Sequence, residues 1–132
     1  MEKWRDVFRR GVAPSLSPAG LEALRGALER NDVALVQGVT TVPPPLHACR
    51  NHKLEGACAI TYAGWMGEGK DTVEEAEWYF SAVCDNANAL LAEPNGHRHL
   101  ICWWDSTERG EAIRMLLPEV ELAIMGKVQS QG

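Results

Sequence analysis

The most constraining feature of this chain is a capping signal followed by a long apolar stripe. Thr72-Val-Glu-Glu75 has the form of a capping box, in which a threonine hydroxyl and a glutamate three residues on serve the unpaired amides that begin a helix. Behind it Val73, Ala76, Phe80, Val83/Cys84, Ala87 and Leu90/Leu91 step by threes and fours, the period of a helix with one buried face. Glu93-Pro94-Asn95-Gly96 then closes the run. A helix over 72–92 is long enough to organise whatever folds around it. Asp71, Glu74, Glu75 and Glu77 resemble an acidic patch, but in or near the first turn they complement the helix dipole.

The same period recurs along the chain. Trp4, Phe8 and Val12 are four apart until Pro14, which should end that helix. Ser17-Pro18 offers a cap and a proline at the first helical position, and Leu21, Leu24 and Leu28 follow, so a helix is expected over 18–30. From Asn31-Asp32 a short segment, Val33 to Gln37, reads as helix in preference to strand, and Gly38 closes it. Leu54, Cys58, Thr61/Tyr62 and Trp65 continue the pattern through Met66, where Gly56, Ala57, Ala59, Ala63 and Gly64 would admit a neighbouring helix closely.

His97 to Trp104 is open to two readings. Leu100 with Trp103 and Trp104 fits a short helix, the reading adopted, whereas the run Leu100–Trp104 could also be a buried strand. Asp105-Ser106-Thr107 caps a last helix through Ile113, Leu116/Leu117, Val120 and Ile124. Pro118 should kink or split it near Leu117, and the tail, 127–132, should fray. Between these helices, residues 38–46 hold three consecutive prolines and form an extended connector. Such a segment could serve a proline-recognising module, but no basic residue flanks it as those ligands require, and a rigid loop explains it. The expected fold is a compact all-α domain of about five or six helices over 1–132.

A hydrophobic content of 45% and a charged content of 23% suit a globular domain. The formal net charge is −5, from 18 acidic and 13 basic residues, which argues against nucleic acid as the partner, since phosphate binding needs clustered cations. No stretch approaches the roughly 20 apolar residues of a membrane span. No signal-peptide run follows Lys3, Arg5, Arg9 and Arg10. Cys49, Cys58, Cys84 and Cys102 are therefore expected as free thiols in a reducing, cytoplasmic setting.

Four constellations could carry chemistry. Gly64-Trp-Met-Gly-Glu-Gly69-Lys70 has the glycines and lysine of a phosphate loop. However, Asp71 stands where a hydroxyl should hold Mg²⁺, Glu68 would place a negative charge in the cradle, and the alternating strand–helix units are missing. An inter-helix glycine turn explains it. His47, Cys49 and His52, with His97, His99 and Cys102, could form a zinc site if the two segments met, though neither has self-sufficient ligand spacing. Cys49 beside His47 or His52 could be an activated nucleophile, but no orienting group is legible.

The fourth is aromatic. Trp65, Trp78, Tyr79, Trp103 and Trp104 are many large rings for this length, and adjacent rings on a helix point about 100° apart. They cannot all face one core. Exposed tryptophan and tyrosine are characteristic interface anchors, so these five are the candidate partner-binding residues. The leading expectation is a non-enzymatic accessory or regulatory protein that binds another protein, with self-association as one form of that. No motif calls for a cofactor. The runner-up is a metal- or small-ligand-binding protein using segments 47–52 and 97–102.

Leu16-Ser-Pro-Ala-Gly-Leu21, Gln37-Gly-Val-Thr-Thr-Val-Pro-Pro-Pro-Leu46, Tyr62-Ala-Gly-Trp65 and Cys102-Trp-Trp-Asp-Ser-Thr107 together resemble a family of small bacterial proteins of no established activity. That resemblance implies a single-domain bacterial chain and supplies no mechanism.

Overall fold

A computed structural model describes residues 1–131. It is 69% helical, with six helices and one two-stranded sheet among the described residues, the mostly helical fold that the periodicity predicts.

The first helix, α1 (residues 3–15), buries Trp4, Phe8 and Val12 on one face as their spacing requires. It does not stop at Pro14. Regular turns over Lys3–Val7 widen into a π-helical turn at Phe8–Val12 and resume over Ala13–Ser15. In a regular helix the Pro14 ring would press on the carbonyl of Arg10; the wide turn lies where that crowding would occur. Helix α2 (Pro18–Arg30) matches its expected bounds, with the Ser17 hydroxyl accepting from the amide of Gly20 at 3.0 Å and Asn31 in the left-handed region at its end.

The helix expected over 33–37 does not form. Asp32 Oδ1 accepts from the amide of Ala34 at 3.0 Å, and this local turn competes with helix. Leu35, wholly buried, then bridges to Ala57, with Val36 N–H donating to Ala57 O at 2.9 Å and Ala57 N–H to Ala34 O at 2.9 Å. Strand β1 (Thr41–Val42) lies in the proline-rich connector and pairs antiparallel with β2 (Gly56–Ala57), in the register Thr41↔Ala57 and Val42↔Gly56. Because β2 claims Gly56 and Ala57, the helix expected from Leu54 begins only at Ala59, with Cys58 at its N-cap.

Helix α3 (Ala59–Glu68) packs against α2 and against α4 (Val73–Leu91). Its glycines permit this: a Cβ at Gly67 would stand 2.5 Å from the Gly20 Cα. The capping box is formed, with Thr72 Oγ1 accepting from the amide of Glu75 at 3.3 Å and meeting its carboxylate at 2.9 Å. Helix α4 packs against α1, α3, β1 and α5 (His97–Ser106), so residues 97–104 are helix.

Helix α6 (Arg109–Gln131) packs on α2 and runs unbroken through Pro118, so of the two effects expected there the split does not occur. Pro118 and Arg114, whose carbonyl loses its helical donor there, are both exposed, so the interruption faces solvent. The helix runs to Gln131, so the tail 127–132 is helical as far as it is described; Gly132 lies outside the described residues. Arg109 ties the irregular segment to this helix, donating to Asn31 Oδ1 at 2.8 Å, Leu35 O at 2.6 Å and Asp32 O at 2.7 Å. Among the described residues no helix is long and apolar enough to cross a membrane.

Candidate functional site

The buried side of α4 runs through Val73, Ala76, Val83, Cys84, Ala87 and Leu91. At 100° per residue Trp78 points about 140° from Val73 and about 200° from Ala76. Its ring is accordingly 73% exposed. A tryptophan this open is unusual, because its large apolar surface gains most from burial.

Trp78 does not stand on a bare helix face. The chain after the prolines folds back along the start of α4, with Glu74 N–H donating to Arg50 O at 2.9 Å and Val73 N–H to His52 O at 3.0 Å. These bonds satisfy two of the open amides of the helix N-terminus. They also set Pro45, Leu46, His47 and Arg50 as one wall of a groove of about 350 Å³. Glu74, Glu77 and Trp78 form the other wall, over Val73. Leu46 is 61% exposed, so two large apolar side chains face solvent across one depression. Among the described residues Arg50, Glu74 and Glu77 enter no salt bridge, leaving charges of both signs at the rim.

The other candidate rings are not presented in this way. Trp104 belongs to the core: it is 2% exposed, and its Nε1–H donates to Val36 O at 2.9 Å. Leu100 and Trp104, four apart, share the inward face of α5, a spacing visible in the sequence that separates Trp104 from Trp103. Trp103 is half-buried and stacks on Trp4 with ring centroids 3.7 Å apart and planes at 5°. Trp65 is half-buried and meets Tyr62 edge-on at 5.7 Å. Tyr79 lies against α3, its hydroxyl buried without a hydrogen-bond partner among the described residues. Burial first, then the Glu68 carboxylate, push its pKa up. Of the five rings, Trp78 alone is displayed on the surface; of the wall opposite it, His47 was a candidate only as a metal ligand or as a base for Cys49, and Pro45 and Leu46 were not site candidates. A loop's return onto a helix leaves no periodic trace.

The two histidine–cysteine segments do not meet. His52 lies beside the start of α4, whereas His97 lies near its end, where Asn88 Oδ1 accepts from the His97 amide at 2.8 Å. Val73 and Asn88 are separated by about 22 Å of helix at 1.5 Å per residue. His97 serves as a structural contact whose pKa is lowered by burial first and then by the charge of Arg98. His99 faces the Glu93 carboxylate at 3.9 Å. Cys49 ends a short 3-10 turn, His47–Cys49, in the groove's wall segment. Among the described residues no three His, Cys, Asp or Glu side chains converge to hold a metal.

The glycine-rich run is likewise structural. Gly64 and Gly67 lie within α3, and Gly69, at φ 76°, ends it. No loop of open amides is left to cradle a phosphate. Comparison of the chain with known families, curated proteins and solved structures returns no match.

Proposed function

We propose that this chain is a non-enzymatic accessory or regulatory protein that binds another protein through the groove centred on Trp78. The observation that carries this reading is the 73% exposure of Trp78 beside Leu46, itself 61% exposed. A rigid aromatic ring in a shallow depression, rimmed by unpaired charges, is the arrangement from which interface hot spots are built. The partner is a protein, a second copy of this chain included, and the setting is the cytoplasm of a bacterium, in keeping with the family resemblance and the free thiols.

Affinity capture from the native host with wild type and Trp78→Ala in parallel tests the reading. A protein retained by wild type and lost with Trp78→Ala, while both variants melt alike, supports it. Retention of the same partners by a well-folded Trp78→Ala variant overturns it.

A further inference from the structure

A small apolar cavity lies beneath the segment 37–40, on a face that shares no lining residue with the Trp78 groove. The segment is fastened to the end of α5: Gln37 Nε2–H donates to the carbonyls of Trp104 at 2.6 Å and Thr107 at 2.8 Å, and Asp105 Oδ1 accepts from the Gly38 amide at 2.8 Å. The space below has a volume of about 90 Å³. Ile60, Phe80, Leu100, Trp104 and Leu116, from four different helices, supply its walls. Val39 and Asp105, both exposed, stand at its edge, so it opens to solvent between the connector and α5.

This space contrasts with the packing around it. Elsewhere the chain uses glycine to bring helices into contact, as at Gly67 against Gly20. Interiors are close-packed, and voids larger than a water molecule are few. Ala59 also lines the cavity, so a single larger side chain there would enter the space. The polar groups at hand are neutral or engaged. The Cys58 thiol lies 3.3 Å from Thr61 Oγ1, burial holds it protonated, and the Asp105 carboxylate is bonded to Gly38.

We propose that this cavity is a binding site for a small, neutral, largely apolar molecule. An apolar cavity of about 150 Å³ admits benzene, and one of about three-fifths that volume suits a ligand of about four non-hydrogen atoms. A charged ligand would be buried without a counter-charge, at large cost. One polar end can be met by the thiol of Cys58.

Xenon is the probe, followed by nuclear magnetic resonance of the intact protein under increasing gas pressure. The expected result is a saturable shift of the Ile60, Leu100 and Leu116 methyl signals and the Trp104 indole, abolished in Ala59→Leu. Val39→Phe, at an exposed position with little risk to folding, should obstruct the entrance and weaken the same response. Linear, unsaturable shifts spread over exposed residues overturn the proposal. So does a saturable response that persists unchanged in both variants, since the gas would then occupy another site.

Discussion

The ring of Tyr79 lies over the backbone of Gly64, so that a Cβ at position 64 would stand 2.4 Å from the Tyr79 Cδ1. The contact joins α3 to α4 and admits no side chain at that point. Gly64→Ala gains about 1 kcal/mol of helix propensity but forces the ring or the helix to move, and overpacking costs about 1–3 kcal/mol. At so short a separation the steric cost wins, and urea denaturation should show a net loss of up to about 2 kcal/mol. Gly26→Ala is the control. The added Cβ meets only the end of the flexible Arg30 side chain, so that variant should be stabilised by up to about 1 kcal/mol.

Trp78 and Trp104 make opposite predictions. Trp104→Ala empties a core position and orphans the Val36 carbonyl, so a loss of about 3–5 kcal/mol is expected. Trp78→Ala removes a ring that is 73% exposed and should change stability by no more than about 0.5 kcal/mol. Thermal melts of the two variants separate these outcomes. If Trp78→Ala destabilises as much as Trp104→Ala, its ring packs against the chain and the groove loses its anchor.

The elements that were legible in the sequence are those whose signals are local. Ser17-Pro18 and Thr72 to Glu75 placed the starts of α2 and α4 because capping is settled within one turn. Trp78 is absent from the stripe of α4 that the spacing defines, so its outward position follows from helical periodicity alone. What escaped depends on contacts distant in sequence. Leu35 and Gly56–Ala57 are drawn out of helix by pairing with one another and with Thr41–Val42, and short segments yield to such pairing because few helical bonds are lost. Pro14 and Pro118 were read by intrinsic cost alone, whereas a widened turn and a solvent-facing position absorb it. Pro45, Leu46 and Arg50 became half of the candidate site only through their bonds to α4.

The thiols should react in two classes. Cys102 is exposed and Cys49 half-buried, whereas Cys58 and Cys84 are buried, and none is in a disulfide. The thiolate is the reactive form. Burial foremost pushes the Cys84 thiol up to about 12, and burial raises Cys58 as well. A chromogenic disulfide at neutral pH should therefore label Cys102 quickly and Cys49 more slowly, and reach the other two only after denaturation. Rapid labelling of Cys84 in the native protein would show that α4 opens far more readily than its packing implies.

Glu119 provides the pH prediction. It is 3% exposed on α6 and is clamped by α1, with Arg5 Nη1 at 2.9 Å and Arg9 Nη2 at 3.0 Å from Oε2. The Arg9 hydrogen bond first, then Arg5 and the two positive charges, hold its pKa below the ordinary 4.5, against the opposing effect of burial. A depressed folded-state pKa means that the native state binds fewer protons than the unfolded chain. The stabilisation is therefore complete above the ordinary value and is lost as pH falls through the lowered one. Glu119→Gln keeps the shape but removes the charge, and should cost about 2 kcal/mol at neutral pH, the scale of a hydrogen bond to a charged group with Arg9 partly open to solvent. The informative quantity is the difference between wild type and Glu119→Gln, in which the other carboxylates cancel. Urea denaturation at intervals from pH 7 to pH 3 should show that difference constant down to about pH 5 and shrinking below it. A difference that grows on acidification would reverse the sign of the linkage and remove Glu119 as the ionic tie between the two ends of the chain.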